Sequence, residues 1–290
     1  MTAPAYRFLS LGAGVQSTTL LLLAAAGKIA PFDAAIFADT GWEPPEVVAH
    51  PDRLEGVAAQ AGIPIRRVSA GDIRADALDP SHRFASMPLF TLGPDGERGM
   101  ARRQCTSEYK IRPIKKEVRH WLGFPGRTRI PAGTVAEMSI GISLDEIGRA
   151  RDSDVGYMRN VFPLLDLKWR REDCLRFLAD SGWASTPRSA CVGCPFHTDD
   201  EWARIKQDPR TWQDAVAFDA AIRSGSARAN ADGHPLRGQF YLHAQRIPLA
   251  EVTLRPRMED PQPQRPGCGP WTCPHSEPAP AVAAGVQEVA

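Results

Sequence analysis

The sequence has no long hydrophobic run and almost no net charge. Its apolar stretch at 20–26 closes at Gly27 and Lys28. A membrane-spanning helix needs about 20 apolar residues, so we predict no association with a membrane. The 35 basic residues nearly balance the 34 acidic ones, and the formal net charge of +1 makes a nucleic-acid partner possible but unsupported. The N-terminus lacks the pattern of a signal peptide, which predicts a cytoplasmic protein.

Cysteine is scarce, with six residues in a chain of 290. A chain of this length buries a sizeable core without crosslinks, so its stability does not require disulfides. In a reducing compartment these cysteines indicate metal or redox chemistry instead. Cys174 differs from the others because it lies among apolar residues of a predicted helix, and we interpret it as a buried apolar thiol.

Predicted strands alternate with predicted helices along most of the chain. The hydrophobic pattern predicts strands at 6–11, 34–38, 63–68, 127–130 and 138–142, and helices at 17–26, 47–61, 170–181 and 211–222. A further helix is predicted to begin at Thr198, because Thr198 and Glu201 have the spacing of a capping box. The alternation predicts an α/β fold with an open, doubly wound, mostly parallel sheet that is covered by helices on both faces.

The composition predicts three parts of the chain. Residues 1–186 form the α/β domain, and residues 187–254 form a helical subdomain with a C-x-x-C motif. Residues 255–290 are crowded with proline, a composition that does not form a packed core, so we expect a partly disordered tail. Cys268 and Cys273 lie in this tail and are the residues expected to anchor it.

A glycine-rich segment, SLGAGVQST at 10–18, joins the first predicted strand to the first predicted helix. In this arrangement, backbone N–H groups and the helix dipole point to one position, which suits an anion such as a phosphate. The segment is neither a Walker A loop nor a G-x-G-x-x-G fingerprint, and its spacing fits a tight turn equally well. The candidate phosphate-binding residues are Ser10, Gly12, Gly14, Gln16, Ser17 and Thr18.

Polar residues also follow the second predicted strand. Asp39 and Thr40 stand at its carboxyl end, and this is the edge where open α/β sheets bind their ligands. Two roles are open for the Asp39 carboxylate, since it can meet the ribose or base of a nucleotide or cap the following turn.

Two cysteine motifs are candidates for a metal site. Cys191 and Cys194 form a C-x-x-C motif that can clamp one metal ion or two corners of a cluster. Cys105 lies in a basic segment, and Cys268 or Cys273 would supply a fourth thiolate. Thiolate ligation suits zinc and iron-sulfur centres alike, so the residues leave the metal open.

The glycine-rich segment resembles the PP-loop of ATP pyrophosphatases and phosphoadenosine phosphosulfate (PAPS) reductase-like enzymes. The usual form of that loop is S-G-G-x-D-S, and the matching residues here are 12–17. Gly12, Ala13 and Gln16 replace the usual Ser, Gly and Asp. The resemblance implies a phosphate-binding role for the loop, and the replacements leave its cleavage chemistry open.

Other segments extend this resemblance over about residues 8–222. FADTGWEPPE at 37–46 resembles the Asp-Thr-Gly segment of the same enzymes, and SACVGCPF at 189–196 resembles their later cysteine motif. Cys105 stands where their adjacent cysteine pair begins, with Thr106 in place of the second cysteine. The resemblance implies membership of the PAPS reductase-like, PP-loop adenine nucleotide alpha hydrolase superfamily, in an iron-sulfur-binding branch.

The resemblance also implies ligands and residue roles. It implies an adenine nucleotide, ATP or PAPS, with Mg²⁺, and a 4Fe-4S cluster for which zinc is the alternative. The implied nucleotide-binding residues beyond the loop are Asp39, Thr40, Gly141 and Arg112. The implied catalytic residues are Cys105, Cys273, Arg103 and Lys110, and the implied metal ligands are Cys105, Cys191, Cys194, Cys268 and Cys273.

Three functions follow from this resemblance. The first is ATP-dependent adenylation of an acceptor, followed by sulfur transfer from a cluster or a cysteine to an acceptor that the sequence does not identify. The second is reduction of PAPS or adenylylsulfate to sulfite, although the tail segment WTCPH at 271–275 keeps only the Cys and His of the reductases' C-terminal motif. The third is a nucleotide sensor or a component of a DNA phosphorothioation-type system. We expect a homo-oligomer in each case.

Overall fold

The computed structural model describes residues 4–82, 87–225 and 238–255. The strands are β1 (Tyr6–Ser10), β2 (Ala34–Asp39), β3 (Ile65–Ser69), β4 (Phe90–Leu92), β5 (Arg98–Met100), β6 (Ala136–Ser139), β7 (Met158–Val161) and β8 (Gln239–Tyr241). The α-helices are α1 (Val15–Ala25), α2 (Pro45–Gln60), α3 (Ile73–Leu78), α4 (Arg112–Trp121), α5 (Pro163–Asp166), α6 (Arg171–Asp180), α7 (Asp199–Gln207) and α8 (Pro209–Ala221). A π-helix spans Thr106–Ile111, and short 3-10 helices span Leu144–Arg149 and Leu249–Glu251.

The main sheet has five parallel strands in the order β3-β2-β1-β6-β7. The strand β2 reads AAIFAD, a nearly continuous apolar run, because both of its faces are covered. Leu9 and Phe37 pack on one face with α1, α2 and α6, whereas Phe8 and Ile36 pack on the other face with α4. The predicted α/β class, with a doubly wound and mostly parallel sheet, is therefore confirmed.

A smaller antiparallel sheet, in the order β5-β4-β8, lies outside this layer arrangement. Its strand β8 comes late in the chain and pairs with β4, which precedes the predicted boundary at residue 186. A second hydrophobic cluster likewise joins Trp42 to Trp202 and Phe218 across that boundary. The division into 1–186 and 187–254 stays a prediction, and the predicted tail beyond Arg255, with Cys268 and Cys273, lies outside the described residues.

The helix at 199–207 begins as its sequence predicts. Thr198 Oγ1 accepts a hydrogen bond from the Glu201 backbone N–H at 3.4 Å, and the Glu201 carboxylate accepts one from the Thr198 N–H at 2.8 Å. These two bonds satisfy donors that a helix start leaves without intrahelical partners.

The predicted strand at 127–130 is wrong, because this segment is irregular. It lies between Gly126, whose φ is +64°, and Pro131, so a turn and a residue without an N–H donor bound it. Its Thr128 carbonyl accepts a hydrogen bond from the Arg119 side chain instead of a neighbouring strand. Within the described residues, no helix is long and apolar enough to cross a membrane.

A buried histidine supports the helix that follows the glycine-rich loop. His50 of α2 is fully buried, and its Nε2 lies 2.9 Å from Thr18 Oγ1 of α1. Burial, with a smaller effect of Arg53, lowers the pKa of His50 to about 4. The folded protein therefore keeps this imidazole neutral under conditions in which the unfolded chain protonates it.

This pKa difference predicts a loss of stability in mild acid. Between about pH 6.5 and pH 4 the unfolded state binds a proton that the native state excludes, so His50 should lower the free energy of unfolding by about 2 kcal/mol from pH 7 to pH 5. Urea unfolding at both pH values should show a smaller loss in His50→Gln than in the wild type. His120→Gln, at an exposed position of α4, is the matched control and should keep the wild-type loss. An unchanged loss in His50→Gln would contradict the prediction.

Candidate functional site

The glycine-rich loop lies where the strand order of the main sheet reverses. From β1 the chain moves outward to β2 and then β3, and it later returns to place β6 on the opposite side of β1. In open α/β sheets, ligands bind in the crevice at the carboxyl ends of the strands at such a reversal. Residues 11–14 and 140–143 follow β1 and β6 at this edge. The crevice between them is the candidate site.

Ser17 fixes the backbone of the loop. Its Oγ accepts hydrogen bonds from Gly12 N at 3.1 Å and from Gly14 N at 3.4 Å, and it donates to Gly14 O at 3.2 Å. Ala13 has a φ of +57°, in the left-handed region that favours glycine. A helix leaves its first N–H groups without intrahelical acceptors, and the first turn of α1, which begins at Val15, lies directly after this loop.

Gly141 brings the end of β6 into direct contact with the loop helix. A Cβ atom at this position would lie 2.9 Å from Gln16 Cβ and 2.9 Å from Ser17 N. Atoms at that distance overlap, so only glycine allows this approach. The predicted site residue Gly141 therefore lies next to the predicted loop residues Gln16 and Ser17.

A buried polar cluster holds Gln16 in place. Arg171 Nη1 donates to Gln16 Oε1 at 3.0 Å, and Gln16 Nε2 lies 3.5 Å from Ser143 Oγ. Glu146 forms an ion pair with Arg149 at 2.8 Å, and burial raises the pKa of Glu146 to about 7 although Arg149 opposes the shift. Sequence reasoning did not find Arg171, because nothing in its local sequence shows that α6 aims it at the loop.

The end of β2 forms the other side of the site. The Asp39 carboxylate accepts a hydrogen bond from Gly41 N at 2.8 Å, and so it caps the turn. Thr40 is buried, and its Oγ1 lies 3.3 Å from Cys191 Sγ. The structure thus brings Thr40 together with a cysteine that is distant in sequence.

Glu43 is a second acidic residue at this end of β2 that sequence reasoning missed. Its carboxylate accepts a hydrogen bond from Thr40 N at 3.1 Å and lies 3.9 Å from Cys191 Sγ. Burial raises the pKa of Glu43, and the nearby Lys110 ammonium opposes this shift. Lys110 is itself buried in the π-helix, a kind of helix often found at functional sites. The available signal was the position of Glu43 two residues after Gly41.

Trp42 attaches the C-x-x-C loop to the main sheet. Its carbonyl accepts a hydrogen bond from Val192 N at 2.8 Å, and a Cβ atom at Gly193 would lie 2.0 Å from the Trp42 ring. Its Nε1 donates to Asp214 Oδ2 at 2.7 Å, and its ring centroid is 4.6 Å from that of Phe218. One side chain therefore contacts both the cysteine loop and α8.

The His197 ring contacts the backbone of the same loop. Its Nε2 lies 2.9 Å from the Cys191 carbonyl and 3.2 Å from the Val192 carbonyl. Its Nδ1 lies 3.7 Å from the Glu201 carboxylate, which also forms an ion pair with Arg188. These contacts hold the His197 ring against the loop backbone.

The described cysteines do not form a metal site by themselves. Within residues 4–82, 87–225 and 238–255, no group of three His, Cys, Asp or Glu side chains could hold a metal ion. Cys105 precedes the π-helix, half-buried and packed against the second hydrophobic cluster. The 4Fe-4S cluster or zinc therefore stays a prediction that needs Cys268 or Cys273, outside the described residues.

Cys174 behaves as the sequence predicts. It is fully buried in the cluster on the α1 face of the sheet, and burial raises the pKa of its thiol to about 12. The thiol stays protonated near neutral pH, and such a thiol is inert.

The remaining predicted residues have different surroundings. Ser10 Oγ is buried at the end of β1 and has no hydrogen-bond partner among the described residues. Thr18 bonds His50 and is fully buried behind the loop. Arg103 donates to Thr106 Oγ1 at 2.8 Å beside Cys105. The Arg112 side chain is 72% exposed and lies beyond the crevice, near the end of β3.

Comparison with known proteins gives distant structural similarity but no match in sequence. No protein-family model matches the sequence, and no curated protein matches it. The structure is similar to the phosphate complex of phosphoadenylyl-sulfate (PAPS) reductase from Candida auris, with 12% sequence identity and a TM-score of 0.34. The match covers 63% of this chain and 75% of that chain. A similarity of this size does not assign the chain to a family.

The contact between Gly193 and Trp42 predicts a sharp steric limit. In Gly193→Ala the new methyl group would overlap the Trp42 ring, so the loop must move, and we expect a loss of roughly 1–3 kcal/mol in the free energy of unfolding. Urea unfolding measures this loss. Gly156→Ala is the matched control, because a Cβ atom there meets nothing within 4 Å. Equal stability of the two variants would show that the contact does not constrain the loop.

Proposed function

We propose that the chain is an ATP-dependent enzyme of the PP-loop class that adenylates an acceptor and supports sulfur transfer to it. One observation carries the proposal. The glycine-rich loop and the Thr40–Cys191 pair lie at the carboxyl ends of β1 and β2, which are adjacent parallel strands. Such strands are about 4.8 Å apart. A nucleotide held at the loop would therefore have a cysteine beside it.

The loop and its supports suit the phosphate groups of the nucleotide. The first turn of α1 contains no acidic residue, and Gln16 is neutral where the PP-loop pattern has an aspartate. Arg171 adds positive charge directly behind Gln16. Polyphosphate is strongly anionic, so the buried Arg171 guanidinium behind the loop favours its binding. When bound, Mg²⁺ would neutralise charge on pyrophosphate, and the Asp39 carboxylate at the end of β2 would hold it.

The proposed reaction has two displacements. An acceptor oxygen forms a bond to the α-phosphorus of ATP, and the bond to the leaving pyrophosphate breaks. Hydrosulfide then forms a bond to the activated acceptor atom and loses its proton, and AMP leaves with the acceptor oxygen. Lys110 would stabilise negative charge that develops at the crevice, because a buried cation acts strongly on nearby charge. Cys191 is the cysteine at the site.

The first test concerns the loop. In Gly141→Ala the methyl group would displace the first turn of α1, so we expect ATP affinity to fall by roughly tenfold or more, equivalent to at least about 1.4 kcal/mol. Isothermal titration calorimetry measures the affinity, and circular dichroism confirms folding. Gly148→Ala is the control, since a Cβ atom there meets nothing within 4 Å. Wild-type ATP affinity in Gly141→Ala would place the nucleotide elsewhere.

The second test concerns the products. With ATP, hydrosulfide and candidate acceptors, we expect AMP and pyrophosphate, and chromatography with a pyrophosphate assay measures both. Cys191→Ser should retain pyrophosphate formation but form less of the sulfur-containing product, because Cys191 lies at the end of β2 beside the proposed nucleotide position. Cys174→Ala, which removes the inert thiol, should keep both products.

Other products would support the other functions. Sulfite released from PAPS would support the reductase, and ATP binding without turnover would support a nucleotide sensor. Salt-sensitive retention of DNA would support a component of DNA modification. Each of these results, without AMP and pyrophosphate from ATP, would overturn the proposed reaction.

A further inference from the structure

A cavity of about 570 Å³ opens beside the candidate site, at the carboxyl end of β3. Ser69, the last residue of β3, lines it, and Ser69 is the register partner of Asp39 on β2. The cavity therefore lies at the same edge of the sheet as the crevice, directly next to the Asp39 turn. Because β2 separates β3 from β1, the cavity is distinct from the position at the glycine-rich loop.

The charged side chains that line this cavity include more basic than acidic groups. Arg112, Lys116 and His82 lie on it, and Glu108 is its acidic member. Glu108 neutralises Arg112 weakly, because their closest N–O distance is 4.0 Å and the arginine side chain is 72% exposed. The lining thus carries at least one positive charge beyond what its carboxylate balances.

Arg112 and Lys116 are one helical turn apart on α4. Residues at i and i+4 are neighbours on a helix surface, and two like charges in this relation destabilise the helix. The adjacent Lys115 avoids such repulsion because it forms an ion pair with Asp154 at 2.5 Å. No acidic residue of the described chain forms an ion pair with Lys116. A bound anion would relieve the repulsion between Arg112 and Lys116.

We propose that this cavity is an anion-binding subsite for a phosphate group, separate from the group held by the glycine-rich loop. An arginine fork and a lysine ammonium on one helix face provide several donors for phosphate oxygens. The phosphate comes either from a second phosphate group of the bound nucleotide or from a phosphorylated acceptor. Only this choice of source rests on the proposed function, because the cavity itself needs no nucleotide to bind inorganic phosphate.

The test uses inorganic phosphate as the probe. Calorimetric titration of Gly141→Ala, in which the loop is disturbed, should still show phosphate binding. Adding Lys116→Gln should weaken this binding by roughly tenfold, as expected for loss of one charged contact. Adding Lys115→Gln, which removes the same charge one residue away, should leave the phosphate affinity unchanged. If Gly141→Ala does not fold, the same comparison is made in the wild-type protein with ATP at saturation.

Equal effects of Lys116→Gln and Lys115→Gln would overturn the subsite, since only the general charge of the surface would then matter. Two nucleotides separate the sources. If adenosine 3′,5′-bisphosphate binds more tightly than AMP and Lys116→Gln removes the difference, the phosphate belongs to the nucleotide. If adenosine 3′,5′-bisphosphate and AMP bind equally and inorganic phosphate still binds beside AMP, the phosphate at the subsite belongs to a separate molecule. Failure of ATP to bind the wild type would sink the proposed function while leaving the phosphate result intact.

Discussion

The contact between the Trp42 ring and the backbone of Gly193 is the constraint on which the site depends. It presses the cysteine loop against the turn after β2, and the hydrogen bond from Val192 N to the Trp42 carbonyl fixes the register of that loop. The same indole reaches Asp214 on α8. Motifs that are about 150 residues apart in sequence therefore share one rigid support, and the distance from Thr40 to Cys191 follows from it.

The site combines two kinds of electrostatic environment. Around Gln16 the buried charges are arginines and a carboxyl group, Glu146, whose pKa burial raises to about 7. At the end of β2, burial raises the pKa of Glu43, and the Lys110 ammonium acts in the opposite direction. Glu146, with a pKa of about 7, is partly protonated near neutral pH, which reduces the negative charge near the crevice. An incoming polyanion thus meets less repulsion than the number of acidic residues suggests.

The sequence predicts the parts of this molecule that local pattern controls. Apolar runs located β1 and β2, and glycine after a strand located the loop. The smaller sheet has strands of three residues, such as RGM at 98–100, too short to show alternation. The approach of Arg171 to Gln16 and of Gly193 to Trp42 depends on how distant elements pack, so no local pattern contains it. The cysteine ligand set stays a prediction for a related reason, because two of its members lie outside the described residues.

Ala13 restricts the backbone conformations of the loop more than a glycine would. Its φ of +57° costs an alanine about 1 kcal/mol. The surrounding contacts, including the hydrogen bonds of Ser17 to Gly12 and Gly14, hold it there. A methyl group at this position also forbids many backbone conformations that glycine would sample. A ligand bound at this loop would therefore order it at a smaller entropic cost.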